Sequence, residues 1–155
     1  MAEVEIGIGK SGRRAYGFDD IAIVPSRRTR DPEDVDISWE IDAYRFGLPL
    51  MAAAMDGVTS PATAIEVGRL GGVGVLNLEG LWTRYDDPEP LFEEIAKLDN
   101  DKATARMQQI YAEPIKPELV TQRIREIKDA GVVSAASLTP QRVEQYAKAV
   151  LEAEL

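Results

Sequence analysis

Neither cysteine nor histidine occurs among the 155 residues. Without thiols there is no disulfide framework, and the redox compartment leaves no mark on the chain. Without imidazole or thiolate, a Ser-His-Asp triad, a Cys-His pair and the usual zinc sites are excluded, so neither a catalytic nucleophile nor a metal site is expected in this chain. Positive charge is also short. Lys and Arg number 18 against 27 Asp and Glu, a net charge of -9. A nucleic-acid groove or an anionic membrane surface needs clustered Lys and Arg, so neither partner is expected. The one basic cluster, Arg27-Arg28 with Arg30, runs at once into Asp31, Glu33, Asp34 and Asp36 and reads as a solvated loop. Long apolar runs are missing too. The stretch from Met1 to Arg14 lacks the continuous apolar core of a secretory signal, and no run approaches the ~20 residues of a membrane span. A cytoplasmic location is the expectation.

What remains is 45% hydrophobic and 29% charged, the composition of one globular unit. Val4, Ile6 and Ile8 alternate with Glu5, Gly7 and Gly9, which predicts a strand over residues 3–9. Residues 48–55, Leu-Pro-Leu-Met-Ala-Ala-Ala-Met, form a continuous apolar run, as expected of a strand buried on both faces. Ser60 can cap a helix starting at Pro61, where a missing N–H costs nothing. Ala64, Val67 and Gly68 would face inward and Thr63, Glu66 and Arg69 outward, with Gly71 as the left-handed stop. A second buried strand follows over residues 72–77. Strand, helix and strand in so short a space make a parallel βαβ unit.

The alternation then loosens. Residues 78–116 are too long for one loop, and read as an irregular helical insert with Leu91, Ile95 and Leu98 inward. A helix over 117–130 has Val120, Ile124 and Ile127 on its apolar face and Gly131 as its stop. Residues 132–137 form a third buried strand. Thr139-Pro140 caps a last helix with Val143, Ala147, Val150 and Leu151 inward. This α/β pattern fits either a small open sheet or part of a (β/α)8 barrel, a fold of about 250 residues, and the pattern alone leaves both open.

Two motifs carry a resemblance. Tyr16-Gly17-Phe18-Asp19-Asp20-Ile21-Ala22-Ile23-Val24-Pro25-Ser26 resembles the Phe-Asp-Asp-Val-x-Leu-x-Pro segment of the IMP dehydrogenase/GMP reductase family. Leu48-Pro49-Leu50-Met51-Ala52-Ala53-Ala54-Met55-Asp56-Gly57-Val58-Thr59 is similar to that family's first barrel strand, which ends in Met-Asp-x-Val-Thr. Asp34 to Ser38 and Gly71 to Val75 fit the same order. The resemblance implies the N-terminal part of one (β/α)8 barrel: a lead-in over residues 1–47, a first β-α-β unit over 48–77, the insert over 78–116, and helix, strand and helix over 117–155. Residues 78–116 are too short for the paired CBS modules that most of the family carries, which points to the CBS-less, IMP dehydrogenase-related branch.

Strand C-termini ring the open mouth of such barrels. The resemblance therefore implies a purine-nucleotide site, for IMP or GMP, touching Ala53, Met55, Asp56 and Asn77. Met55 would pack on the purine, and Asp56 would fix the strand-end turn or meet the ribose. It also implies NAD or NADP as cofactor and a homo-tetramer for the full-length protein. Two departures fall on this rim: Ala53 stands where dehydrogenases have Ser, and Asn77-Leu78-Glu79 stands where they have a His-x-Asn segment. A non-catalytic, nucleotide-binding relative is thus one alternative. An FMN-dependent barrel of the nitronate monooxygenase type is another, because Gly57-Val58-Thr59-Ser60-Pro61 also resembles those enzymes.

Asp19 and Asp20, adjacent on an extended segment, would point opposite ways and serve structure instead of catalysis. Gly71-Gly72-Val73-Gly74 precedes a strand, whereas a dinucleotide fingerprint follows one and opens a helix, so it is no phosphate cradle. The family reaction needs a thiolate to attack C2 of the purine, and this chain has none. The chain by itself is expected to reduce no NAD with IMP and oxidise no NADPH with GMP. It is also expected to self-associate through open strand edges. Absorbance at the nicotinamide band and sedimentation test both, and turnover by a monodisperse monomer would refute them.

Overall fold

The structure, a computed structural model, describes residues 3–25 and 30–155. The chain divides into two compact units, Met1–Asp36 and Ile37–Leu155. In the first, β1 (Glu3–Gly7) pairs antiparallel with β2 (Lys10–Arg13), and Gly9 turns the chain at φ 68°, a conformation that suits a residue without Cβ. The strand expected over residues 3–9 thus ends two residues early, in a hairpin, and Val4, Ile6 and Ile8 stay exposed. Phe18–Asp20 form a 3₁₀ turn, which corrects the extended conformation expected there. Asp20 Oδ2 accepts the Gly17 N–H at 3.0 Å, so this carboxylate braces its own turn. Arg27 and Arg28 of the basic cluster, with Ser26, lie outside the described residues.

The second unit opens with a hairpin of β3 (Trp39–Ile41) and β4 (Tyr44–Phe46). The Trp39 ring packs on Phe46 at 5.0 Å, and its Nε1 donates to Leu48 O at 2.8 Å. Next come β5 (Met51–Ala52), α1 (Pro61–Arg69), β6 (Val73–Asn77), α2 (Glu89–Ala96), α3 (Asn100–Ile110), α4 (Pro117–Asp129), β7 (Ala135–Ser137) and α5 (Pro140–Glu152). The sheet order is β5-β6-β7, and both pairings are parallel. β6 is therefore the central strand. It meets β5 through Val73 and Gly74 and β7 through Val75, Leu76 and Asn77, so its two neighbours engage it at different heights. Among the described residues no helix is long and apolar enough to cross a membrane.

Local chemistry sets the boundaries. Ser60 Oγ accepts the Thr63 N–H at 3.0 Å and Pro61 opens α1. Gly71 and Gly131 take φ values of 92° and 78° where α1 and α4 stop. Val120, Ile124 and Ile127 are buried, joining Ala64, Leu76, Leu78, Tyr146 and Ala149 in one apolar core. α1 lies unusually close to β6: a Cβ on Gly74 would sit 2.5 Å from Ala64 Cα. Only a glycine lets the two backbones approach this far.

Three expectations need correction. The strand expected over residues 48–55 is reduced to Met51–Ala52, and Leu50, Met51 and Met55 are exposed instead of buried on both faces. β6 is its only strand neighbour among the described residues, so half of the cover that an apolar run anticipates is not supplied. The third strand spans Ala135–Ser137 instead of residues 132–137, because it pairs only alongside the last half of β6. α5 buries Tyr146 and Ala149 while Val143 and Leu151 are exposed. Its covered side is the one facing α4, where Thr121 Oγ1 donates to Ala149 O at 3.0 Å.

Residues 78–116 form a 3₁₀ turn at Leu81–Thr83 followed by α2 and α3. Leu91, Ile95 and Leu98 are half-buried. Glu94 accepts both Arg106 Nε at 2.6 Å and Arg106 Nη2 at 3.0 Å, tying the two helices together. The stretch is fastened to α4 by Arg123. This buried guanidinium donates to Trp82 O at 3.1 Å and Asp86 O at 2.6 Å, pairs with Glu126 at 3.2 Å, and lies 5.6 Å from the Trp82 ring centroid.

Gly74→Ala is expected to destabilise the chain by about 1–3 kcal/mol, the cost of overpacking a close contact. Gly57→Ala, at a glycine with open space around it, should change stability far less. Denaturant unfolding of the two variants decides the point, and equal midpoints would show that the α1–β6 approach is slack.

Candidate functional site

The turn after β5 is held by its own atoms. Met55 N–H donates to Ala53 O at 2.8 Å, and Met55 O accepts the amides of Val58 at 2.9 Å and Thr59 at 2.8 Å. Thr59, fully buried, donates its hydroxyl to Ala53 O at 2.6 Å. This compact turn leaves Ala53 and Met55 exposed, the latter to 58%. An exposed thioether at a strand end is a soft surface against which a flat apolar ligand can pack.

Asp56 points the other way. Its Oδ2 accepts the Leu81 N–H at 3.0 Å and the Tyr111 hydroxyl. Its Oδ1 lies against Gly80, where a Cβ would come within 1.8 Å of it. The carboxylate thus bridges the end of β5, the loop after β6 and the end of α3. Tyr111 carries the Arg84 guanidinium 5.7 Å from its ring centroid. Arg84 in turn donates through Nε and Nη2 to Glu79 O at 3.1 and 2.9 Å and through Nη1 to Glu113 O. Burial first, and then the hydrogen bond to Asp56, push the Tyr111 phenol well above the ordinary tyrosine range. It stays a protonated donor at any physiological pH.

Asn77 ends β6 and turns into its own loop, with Oδ1 accepting the Glu79 N–H at 3.0 Å. Glu79 continues the stitching: its Oε1 accepts the Thr139 N–H at 2.6 Å, and Oε2 faces Arg142 Nε at 3.9 Å. Thr139 is the N-cap of α5 and makes no side-chain capping bond, which corrects the capping expected of it. The Glu79 carboxyl is held below its ordinary value of 4.5, chiefly by the Thr139 amide and further by Arg142 and Arg84.

The four residues singled out in the sequence thus lie at the C-terminal ends of β5 and β6, in two kinds of setting. Ala53 and Met55 face outward, while Asp56 Oδ2 and Asn77 Oδ1 are engaged within the protein. Sequence reasoning missed Tyr111, whose partner Asp56 lies 55 positions away, and Arg84, which joins Glu79 to Glu113, the latter 29 positions from it. Gly80, one residue past Glu79, was the only local sign that something packs tightly there. Among the described residues no group of three or more carboxylates is placed to hold a metal ion.

Residues 15–153 match the model of the IMP dehydrogenase/GMP reductase domain. The chain is 44% identical over 146 residues to an uncharacterized oxidoreductase of Mycolicibacterium smegmatis, covering 91% of this chain and 39% of that protein. It is 40% identical over 65 residues to the inosine-5'-monophosphate dehydrogenase of Methanocaldococcus jannaschii, covering 42% of this chain and 13% of the relative. The crystal structure of an IMP dehydrogenase/GMP reductase-like protein from Corynebacterium glutamicum superposes with a TM-score of 0.82 at 42% identity, covering 97% of this chain and 42% of that one. The chain spans about two-fifths of the length of the oxidoreductase relatives it matches.

The Glu79 geometry predicts an acid-sensitive rim. A carboxyl whose pKa is lowered by folding contributes stability that is complete above its unfolded value of 4.5 and is lost as pH falls through the folded value. Glu79→Gln keeps an acceptor for Thr139, so at neutral pH it should cost under about 1 kcal/mol, in the range of partly exposed ion pairs. It should also flatten the acid limb of the stability curve. Glu79→Ala removes the acceptor and should cost about 1 kcal/mol at neutral pH, the usual loss on deleting a helix cap. Urea unfolding across the carboxylate range tests this, and an unaltered acid limb in Glu79→Gln would contradict it.

Proposed function

The chain belongs to the IMP dehydrogenase/GMP reductase family, and we propose that it supplies the first three β/α units of a (β/α)8 barrel whose mouth receives a purine nucleotide, IMP or GMP. The parallel order β5-β6-β7 supports this reading, as does the different height at which β5 and β7 meet β6, since a closing sheet requires such stagger. The observation that carries the nucleotide assignment is Met55, exposed at the end of β5 on a turn that its own hydrogen bonds hold. In this reading the purine packs on Met55 beside Ala53, Asn77 shapes the neighbouring strand end, and Asp56 fixes the turn and leaves the ribose to others.

The reaction class is purine-nucleotide oxidoreduction. NAD or NADP, when bound, would accept or donate the hydride. No residue of this chain is assigned to it, and the exposed strand ends offer it no polar cradle. The nucleophile is likewise not in this chain, which has no cysteine. What these residues do is orient the base and exclude water from one face of it. A cytoplasmic homo-tetramer belongs to the same proposal, and so does the division of residues 1–155 into lead-in, first unit, insert and last unit without CBS modules. Ala53 favours one second reading, nucleotide binding without turnover, because a methyl group offers no hydrogen bond where dehydrogenases have a serine.

The chain holds four methionines, so ¹³C-methyl labelling gives a spectrum in which Met55 is readily assigned. Titration with IMP or GMP is expected to shift the Met55 methyl. Met55→Ala should weaken that binding about tenfold, the loss of a well-packed side chain at a ligand, while changing stability by no more than about 0.5 kcal/mol, as at exposed sites. A Met55 methyl that responds to FMN, and to neither purine nucleotide, would overturn the assignment in favour of a flavin-binding barrel.

A further inference from the structure

We infer that Tyr111 is a positioning residue for the nucleotide site: through its hydroxyl on Asp56, it holds the turn that presents Met55. The inference rests on the reading of Met55 given above and extends it to a residue on α3's trailing end, in the insert. The turn from Ala53 to Thr59 is closed within itself by backbone bonds, and among the described residues Asp56 is the side chain that ties it by hydrogen bonds to the loop after β6 and the end of α3. That carboxylate is fixed from three sides. The Leu81 amide takes Oδ2 at 3.0 Å, the Tyr111 hydroxyl takes the same oxygen, and Gly80 closes on Oδ1 with no room for a methyl group.

Of these three, the Leu81 amide and Gly80 belong to one loop, and only Tyr111 approaches from a separate element. Its ring is held in turn by Arg84, which is itself anchored on Glu79 O at 3.1 and 2.9 Å. A phenol clamped by a guanidinium above it and an anionic acceptor in front of it has little freedom to rotate. A hydrogen bond to a charged acceptor is also among the stronger kinds. Met55 precedes Asp56 directly, so a rotation of the Asp56 backbone on losing Tyr111 would swing the thioether. Asp56 is thus the pivot, Tyr111 the brace and Met55 the presented surface.

The test uses Tyr111→Phe, which keeps the ring under Arg84 and removes only the hydroxyl. The control is Tyr85→Phe, which removes a neighbouring hydroxyl bonded to Ile110 O at 2.9 Å and does not touch Asp56. In the free protein, Tyr111→Phe is expected to move the Met55 methyl resonance and raise hydrogen exchange at the Leu81 amide, whereas Tyr85→Phe should leave Met55 in place. In the presence of IMP or GMP, Tyr111→Phe should weaken binding about tenfold, a fraction of what a charge-assisted hydrogen bond can carry. An unmoved Met55 methyl in folded Tyr111→Phe overturns the inference. Failure of the wild-type protein to bind either nucleotide would sink the nucleotide reading, while the response of Met55 in the free protein would still decide whether Tyr111 positions it.

Discussion

A guanidinium taken out of water obliges its surroundings to furnish acceptors, and Arg123 places that demand on the stretch following β6. An unpaired buried charge would cost several kcal/mol. Trp82 O, Asp86 O and the Glu126 carboxylate answer it, and the Trp82 ring lies against it. Meeting that demand folds Leu81–Thr83 into a tight turn, reinforced by the buried Thr83 hydroxyl on Leu78 O at 2.9 Å. The Leu81 amide then stands where the Asp56 carboxylate can reach it. The link from α4 to the end of β5 is therefore a relay of hydrogen bonds that runs from Arg123 through the Leu81–Thr83 turn to Asp56 Oδ2.

The same economy explains what the strand ends offer a ligand. Of the polar side chains there, Asp56, Asn77 and Glu79 each commit an oxygen to a backbone amide of the protein. The surfaces left over are apolar and small, Met55 and Ala53. A base could be packed and oriented by such a rim, but its charged groups would have to be recognised by residues other than these. That division of labour agrees with a chain that spans about two-fifths of its oxidoreductase relatives.

Legibility in the sequence followed the range of the forces involved. Ser60, Pro61, Gly71 and Gly131 act within a turn, and the structure puts each where its chemistry suggests. The apolar face of α4 was readable because both its sides meet helices, and Val120, Ile124 and Ile127 all end up buried. α5 misled because periodicity locates a stripe but not which edge of it is covered, and Tyr146 displaced Val143. The β3–β4 hairpin escaped notice because Asp42-Ala43 is a weak turn signal beside Asn-Gly or Asp-Gly, although Asp42 does take φ 51°. The Asp56–Tyr111 bond joins residues 55 positions apart. No window-based reading contains both.

The close approach of α1 to β6 also acts as a ruler. Along β6, Gly74 and Leu76 lie on the face that meets the helices, and Ala64 leaves no space for a Cβ at Gly74. A strand shifted by one residue would turn its other face to the helices, bringing Val73 or Val75 to that gap. Neither branched side chain fits. Misaligned sheets are thereby rejected by collision before any pairing energy is compared, and the one residue with no side chain serves as the index mark against which the central strand is set.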